Sequence, residues 1–389
     1  VSELEEIYPF ASARSKEDPE YYREAMEYTH RLQNREAGLF ALWLKIVEVS
    51  TKDMRRNYER LHVSFELWNG ESTVQDRIAP MVQEMKDKGL AVMSDGALIV
   101  DVAEESDART IPPCMILKSD GAALYTTTDL ATIVDREEKI APDEIIYVTD
   151  KRQELHFTQV FRCARKCGLL PESTGLTHIG FGTVNGRNGL ALKTREGGVM
   201  RLETLIDDID AAMLEKIRTN PEIPEDEAVQ TARQVALAAL KYGDLSNQAS
   251  KDYIFDLDKF ISFEGDTGPY ILYTIVRMQS ILRKYEDGKK NGGDGRILPA
   301  KSAEEKRLML TVASFPEAVR QARSELSPTR ICAYIYALAN DCNSFYHTTK
   351  ILSEEDEARK AGWIALIRLA NRILSTGIEL LGFTAPERM

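Results

Sequence analysis

Apolar side chains change their spacing along the chain, and the changes predict where helices and strands lie. Between residues 20 and 62, and again from 75 to a glycine at 89, they recur three and four positions apart, as on one face of a helix. The run VSFEL at 63–67 predicts a short strand. Two later stretches, 90–102 and 114–127, carry short apolar runs around Asp-Gly, the pattern of a β-hairpin. This part of the chain is therefore predicted to combine helices with hairpins.

A strand, a helix and a second strand are predicted next. EIIYVTD at 144–150 and LTHIGFGTV at 176–184 are apolar runs of strand length, and 154–168 between them is an amphipathic helix that ends at a glycine. Such a unit predicts two parallel strands with a right-handed crossover. Because open parallel sheets bind ligands beyond the carboxyl ends of their strands, residues 150–153 and 182–184 are predicted to border a binding site.

Beyond residue 202 nearly every segment has helical spacing. The exception is a stretch rich in glycine and charge at 287–299, which predicts a flexible link. We therefore predict an α/β domain followed by an all-α bundle.

Composition narrows the class of protein. Of the 389 residues, 43% are hydrophobic, which suffices for a sizeable core, and no apolar run is long enough to span a membrane. The N-terminal VSELEEIYPF lacks an initiator Met and the features of a signal peptide, so we expect a cytoplasmic chain cut from a longer protein. The five scattered cysteines predict reduced thiols rather than a metal site.

The net charge of −12 argues against a protein that binds nucleic acid over its whole surface. The charge is uneven, because residues 228–389 hold 22 Lys and Arg against 20 Asp and Glu, whereas residues 1–227 hold 28 against 42. The helical part can therefore carry a local basic face, and the acidic part favours a cationic ligand.

One loop suits a phosphate. In LKTREGG, Lys193 and Arg195 precede two glycines. Lysine and arginine both bind phosphate oxygens, and glycine lets the backbone come close to a ligand. A solvated hairpin turn would have the same composition, but the loop follows the second parallel strand, where a ligand is expected. We therefore interpret it as a functional loop.

Carboxylates and an amide near the same edge suit a small cation. Tyr125 and Asp129 lie four residues apart, on one face if a helix begins near Thr127, and Glu71 and Gln153 could join them. Asp129 could instead be an acidic residue favoured at a helix start, and Glu71 a cap of the helix that follows. Among cations, an arginine side chain prefers bidentate carboxylate partners.

The sequence contains no motif that indicates another kind of catalytic, nucleotide-binding or metal site. No Ser/His/Asp order, Walker loop or GxGxxG stands out, and the five histidines show no metal-ligand spacing. His156, in the first turn of the crossover helix, is by itself more typical of a packed or exposed histidine than of a ligand. We expect no metal site and no tightly bound cofactor.

Six stretches of the chain resemble, in order, the arginyl-tRNA synthetases. They are KSDGAALYTTTDLATI, IIYVTDKRQELHFTQVF, HIGFGTV with LKTREGG, DYIFDLDKFISFEGDTGPYILYTIVRMQSIL, FYHTTKIL and LLGFTAPERM. The resemblance implies a class I ligase that activates L-arginine with ATP and Mg²⁺ and transfers it to tRNA-Arg. It also implies that activation needs bound tRNA and that the protein does not bind a membrane.

The resemblance also divides the chain into three parts. Residues 1–120 would be a helical and hairpin insertion within the catalytic domain. Residues 121–225 would be the second half of the nucleotide-binding catalytic domain, with a KMSKS-like loop. Residues 226–389 would be the α-helical anticodon-binding domain.

Site residues are implied by position in the resembling stretches. The catalytic cations that stabilise the pyrophosphate leaving group would be Lys193 and Arg195. The arginine pocket would be lined by Glu71, Tyr125, Asp129 and Gln153. The ATP-binding residues would be His156, Gly182, Thr183 and Val184. The tRNA anticodon would contact Tyr270, Tyr273, Arg277, Phe345, Tyr346 and Met389. Single-stranded loops are read on aromatic and arginine side chains, but aromatics at helical spacing are also common core residues.

Two features depart from the family pattern. The HIGH signature is absent, since THIG at 177–180 falls in a predicted strand, and the LKTREGG loop holds one lysine only. The chain therefore resembles the C-terminal two-thirds of the enzyme, and we expect it not to form arginyl-adenylate by itself. The roles of Lys193 and Arg195 stay open, and a tRNA-binding module without catalysis is the alternative.

Overall fold

The computed structural model describes residues 2–190, 192, 200–221, 223–288 and 295–389. Lys193 and Arg195 lie outside these residues, as does the middle of the predicted link. The chain divides into two compact units, of which the first holds Val1–Phe65 with Arg201–Asp207 and the second holds Glu66–Met200 with Asp208–Met389.

The first unit is helical. Before residue 66 its described helices are Ser2–Glu17 (α1), Pro19–Gln33 (α2) and Ala37–Arg60 (α3). Ion pairs from Arg56 to Glu203 at 2.8 Å and from Arg60 to Asp207 at 2.7 Å join α3 to the later part of the unit. The helices predicted for residues 20–62 are confirmed.

The strand predicted for residues 63–67 is wrong. None of these residues pairs with a strand in the described structure. A strand is stable only beside a hydrogen-bonded neighbour, and the Phe65 ring instead packs edge-on against Tyr58, with ring centroids 4.9 Å apart.

The second unit begins with a helix and an antiparallel sheet. They are Gln75–Asp87 (α4), Val92–Ser94 (β1), Ala97–Val100 (β2) and Cys114–Leu117 (β3), with strand order β1-β2-β3. Asp95 and Gly96 both have positive φ, of 50° and 82°, as the tight turn of a hairpin requires. The first predicted hairpin is confirmed. The second Asp-Gly turn closes a single bridge, Leu117 to Ala123, because the chain then enters a helix.

The predicted strand–helix–strand unit is confirmed. Its elements, with the helix that precedes them, are Tyr125–Ile140 (α5), Glu144–Asp150 (β4), Glu154–Lys166 (α6) and Gly175–Phe181 (β5). β4 and β5 are parallel and in register from Glu144 opposite Gly175 to Asp150 opposite Phe181. Fully buried side chains of β3, α5 and α6, among them Ile116, Ile133 and Val160, form one core with those of α4, β2 and β4.

A second pair of parallel strands connects the strand–helix–strand segment to the helical part of the chain. Val184–Asn185 (β6) pairs with Tyr253–Ile254 (β7). The helices in this region are Leu202–Arg218 (α7), Glu225–Leu245 (α8) and Leu257–Phe260 (α9).

The last part of the second unit is a helical bundle, as predicted. Its helices are Gly268–Asp287 (α10), Ala303–Ala313 (α11), Phe315–Ser324 (α12), Thr329–Thr348 (α13) and Glu357–Leu380 (α14). α10 packs against α8, α13 and α14, while α11 and α12 pack against α13. Among the described helices, none combines the length and the apolar character that crossing a bilayer requires.

The crossing of α8 and α10 allows no side chain at Gly268. A methyl group there would lie 2.2 Å from the carbonyl oxygen of Ala238. We therefore expect Gly268→Ala to lower the free energy of unfolding by about 1–3 kcal/mol, as overpacking does. Gly38→Ala is the control, because Gly38 also lies in the first turn of a helix and has open space around it. Thermal unfolding should show a loss for the first variant only, and equal midpoints would contradict the proposed tight crossing.

Candidate functional site

A tight turn follows β4 at the carboxyl edge of the parallel pair. The Oδ1 of Asp150 accepts from the backbone N–H of Arg152 at 2.8 Å, and its two oxygens accept from the Arg152 guanidinium at 2.9 and 2.7 Å. The Arg152 side chain, and then the backbone N–H, lower the pKa of Asp150 to about 2. The turn that leads from the strand into α6 is therefore held by one ionised carboxylate.

The segment after β5 packs directly on a second loop. A Cβ at Gly182 would lie 2.5 Å from the carbonyl carbon of Lys251, so only glycine fits at this approach. The backbone N–H of Thr183 and the Nζ of Lys151 both donate to Asp252 Oδ1, each at 2.8 Å. Lys151 is the main cause of the lowered pKa of Asp252.

These contacts use the backbone groups of the predicted ATP-binding segment. The Gly182 N–H donates to Ala249 at 2.8 Å, and the Thr183 carbonyl accepts from Tyr253. Val184 lies in β6 and pairs with Tyr253. The segment therefore joins the end of β5 to the loop before the bundle.

Asp129 and His156 meet across two helices. Asp129 lies one turn into α5, His156 lies in the first turn of α6, and the imidazole Nε2–H donates to Asp129 Oδ2 at 2.6 Å. Both side chains are partly exposed. The carboxylate is thus held by one partner while it still faces solvent.

The rest of the predicted arginine pocket lies on neighbouring elements. Tyr125 is the first residue of α5 and is 75% exposed, one helical turn before Asp129. Gln153 is exposed and precedes α6 directly. Glu71 begins a 3-10 turn, Glu71–Val74, that contacts α5, but its side chain caps no helix.

A second, partly buried histidine lies on the neighbouring strand. His178 of β5 shares a hydrogen bond with Thr149 Oγ1 at 2.8 Å, and its ring stacks on Phe157 with centroids 4.7 Å apart. This histidine is a packing residue. Across the described chain, no three His, Cys, Asp or Glu side chains are arranged to hold a metal ion.

Two adjoining cavities lie on the bundle. We call the first the aromatic cavity; it measures about 520 Å³, and Phe263, Tyr270, Tyr273 and His347 are among its lining residues. We call the second the arginine cavity; it measures about 510 Å³, and Arg277, Ser280, Arg283 and Arg388 are among its lining residues. Tyr273, Arg277 and Met389 belong to both, so the cavities share a wall.

The residues predicted to contact an anticodon differ in their exposure. Tyr273 is 43% exposed, and Tyr346 is 37% exposed with the Arg277 guanidinium 3.9 Å from its ring centroid. The Tyr270 hydroxyl donates to Asn340 at 2.7 Å. Phe345 is only 1% exposed and packs edge-on against a tryptophan of α14, so it has no surface to offer a ligand.

The arrangement has the fold of a class I aminoacyl-tRNA synthetase followed by an anticodon-binding bundle. The family model for tRNA synthetases class I (R), catalytic domain, matches residues 1–257, and the model for the DALR anticodon binding domain matches residues 271–389. The chain belongs to the class I (R) family, that of the arginyl-tRNA synthetases.

Individual relatives agree with this assignment. The chain is 56% identical over 400 residues to an arginine–tRNA ligase of Agathobacter rectalis and 51% identical over 389 residues to one of Alkaliphilus oremlandii. Each match covers 100% of this chain and 66% of the relative, so the chain spans just under two thirds of their length. The arginyl-tRNA synthetase structure from Plasmodium falciparum is similar with a TM-score of 0.80 at 25% identity, covering 95% of this chain and 62% of that one.

Sequence reasoning missed two contacts of the site. The sequence assigned His156 to the adenosine, and it did not predict the hydrogen bond that the His156 imidazole makes to Asp129, a predicted arginine ligand. It also passed over Asp252, which joins the loops after both strands. The signal for Asp252 was its place at the start of a family-like stretch, DYIFDLDKF.

The Asp150 turn predicts a stability that depends on pH. Because the pKa of this carboxyl is lowered from 3.8 to about 2 in the folded chain, its stabilising effect is present above its ordinary pKa and is lost as the pH falls towards 2. Asp150→Asn should therefore lower the urea midpoint at pH 6 and lower it progressively less towards pH 2. Asp143→Asn, which alters an exposed residue before β4, is the control. A deficit in Asp150→Asn that is the same at every pH would contradict the prediction.

Proposed function

We propose that this chain forms the arginine-binding and tRNA-binding part of an arginine–tRNA ligase. The observation that carries the proposal is the partly exposed Asp129 carboxylate, held by His156 at the carboxyl edge of the parallel strands, in a chain of this family. The relatives that match the whole chain bear the name of this ligase. The reaction joins the arginine carboxylate to the α-phosphate of ATP with loss of pyrophosphate, and then passes the arginyl group to a ribose hydroxyl of tRNA-Arg with loss of AMP.

Asp129 binds the guanidinium of the substrate. A carboxylate accepts two parallel N–H bonds from a guanidinium, and a carboxylate already held by one partner is oriented before the ligand arrives. Tyr125 borders the same face, while Glu71 and Gln153 each add a hydrogen-bond acceptor from a neighbouring turn. We assign His156 to the orientation of Asp129 rather than to the adenosine.

ATP lies beside the loop that leaves β5. Gly182, Thr183 and Val184 border the adenosine, and Lys193 with Arg195 neutralises the pyrophosphate that leaves, assisted by the Mg²⁺ that accompanies ATP. The close packing of Gly182 on Lys251 supports the assignment of residues 182–184, because it fixes the start of this segment.

The bundle binds the anticodon loop of the tRNA. Tyr273 and Tyr346 offer exposed rings, Tyr270 and Met389 line the aromatic cavity, and Arg277 is stacked on Tyr346. Aromatic and guanidinium planes of this kind stack on splayed bases. We leave Phe345 out of the contact because of its burial.

The division of the chain and its location belong to the same proposal. The insertion comprises residues 1–120, the nucleotide-binding half 121–225 and the anticodon-binding part 226–389, and the protein acts in the cytoplasm. Family matches that end at residue 257 and begin at 271 support a catalytic part that precedes the bundle.

Asp129→Asn tests the arginine pocket. Loss of a charge-assisted hydrogen bond costs about 1.5–3 kcal/mol, so the dissociation constant of arginine should rise tenfold or more. Calorimetric titration of the chain with arginine, at saturating tRNA-Arg, measures it. Asp143→Asn, at the opposite end of β4, should bind like the unaltered chain. Equal affinities for all three proteins would overturn the assignment of Asp129 to the arginine pocket.

Binding to altered tRNAs tests the bundle. The chain should bind tRNA-Arg more tightly than the same tRNA with a replaced anticodon, at every point of a salt series measured by fluorescence anisotropy. Equal affinities with the same steep salt dependence would mean phosphate attraction alone and would overturn the anticodon assignment. Anticodon selectivity without arginine binding would favour the alternative, a tRNA-binding module without catalysis.

A further inference from the structure

We propose that the arginine cavity binds a backbone phosphate of the same RNA loop whose bases stack in the adjoining aromatic cavity. This inference rests on the proposed tRNA-binding function and assigns roles to Arg283 and Arg388 that the sequence did not suggest.

One face of α10 changes from aromatic to basic along its length. Tyr273, Arg277, Ser280 and Arg283 follow one another at intervals of four, three and three residues, which puts them on the same side of a helix. At about 1.5 Å per residue, Tyr273 and Arg283 lie roughly 15 Å apart along the axis. A single strand that follows this face meets an aromatic ring at one end and guanidinium groups at the other.

The arginine cavity holds positive charge that the described residues do not neutralise. Its described lining has three arginines and no acidic side chain. Within the described parts of the chain, Arg277, Arg283 and Arg388 are without a carboxylate at ion-pair distance. A concave site with three such groups attracts an anion. Because the planar fork of arginine matches phosphate oxygens in two parallel hydrogen bonds, a phosphate suits the site better than a halide does.

Two contacts orient the arginines without using up their donors. The guanidinium carbon of Arg277 lies over the Tyr346 ring, 3.9 Å from its centroid, and this contact uses none of the guanidinium N–H groups. Arg283 donates one Nη2–H to the carbonyl of Glu387 at 3.4 Å. The Ser280 hydroxyl lies between them along the helix. The guanidinium groups are therefore positioned before a ligand binds.

The aromatic cavity has a rigid wall. The Tyr270 hydroxyl donates to Asn340 at 2.7 Å and accepts from the Asn343 amide at 3.0 Å, and the same amide donates to Thr274 at 3.0 Å. These bonds join α10 to α13 and fix the ring of Tyr270. Tyr273, on the shared wall, is left as the exposed ring on which a base stacks.

Salt dependence separates the two sites. The probe is the labelled anticodon stem–loop of tRNA-Arg, bound to the whole chain and followed by anisotropy across a salt series. Each phosphate contact of a single strand contributes about 0.7 to the slope of log K against log salt, so Arg283→Gln should reduce the slope by about that amount. Tyr273→Ala should weaken binding about 5- to 100-fold, as the loss of one stacked base does, with an unchanged slope. Arg320→Gln is the control, because Arg320 is exposed, pairs with Glu317 and lines neither cavity.

Uncharged analogues of the backbone phosphates can identify the phosphate that Arg283 contacts. Replacing the loop phosphates by methylphosphonates one at a time should reveal one position that weakens binding of the unaltered chain but not of Arg283→Gln. Equal thermal midpoints for all variants confirm that they are folded.

The outcomes distinguish this inference from the proposed function. If the unaltered chain does not bind the stem–loop, the proposed function itself fails. If it binds with anticodon selectivity while Arg283→Gln keeps the full slope, the phosphate site is wrong and the proposed function stands. If Tyr273→Ala reduces the slope as much as Arg283→Gln does, the two cavities are not separate sites for base and phosphate.

Discussion

Parallel pairing of β4 with β5 is the constraint on which the candidate catalytic site depends. Seven residue pairs in register bring Asp150 and Phe181 side by side, so the chain leaves both strands at the same edge. The crossover helix must then begin at that edge, and its first turn brings His156 within 2.6 Å of Asp129. In an antiparallel pair the loops after the two strands would lie at opposite ends, so the residues after β5 would not lie at the edge that holds Asp150 and His156.

The same edge leads directly to the face of the bundle that carries the two cavities. Asp252 accepts from Lys151 after β4 and from Thr183 after β5, and the chain continues from it through β7 and α9 into α10. A single carboxylate therefore joins both strand ends to the segment that carries the two cavities. Gly182, which lies against Lys251 with no room for a side chain, keeps this junction compact.

The local sequence pattern was sufficient to predict those elements in which every side chain indicates the same secondary structure. The run EIIYVTD reads as a strand and 154–168 as a helix because spacing and end signals agree, and both elements formed as predicted. VSFEL has the same composition as a strand but lacked a partner, and pairing is a property of two segments rather than one.

The sequence alone could not predict which side chains of distant elements contact each other. His156 and Asp129 are 27 residues apart on different helices, and no spacing rule says which carboxylate an imidazole will meet. Phe345 and Tyr346 are neighbours with similar rings, yet packing against α14 buries the first and leaves the second 37% exposed. The choice between core and ligand contact was made by tertiary packing, which helical periodicity does not record.

The net charge of −12 is compatible with RNA binding because the described arginines differ in how they are paired. On the same bundle, Arg307, Arg323 and Arg330 each contact a carboxylate within 2.8 Å, so their charge is largely cancelled. Arg277, Arg283 and Arg388 have no such partner among the described residues and converge on one concavity. Over distances beyond about 8–10 Å salt screens the acidic remainder, whereas a phosphate inside the cavity meets the arginines directly. The local arrangement of cations therefore decides where a phosphate group is attracted, and the total charge limits how much of the surface can attract one.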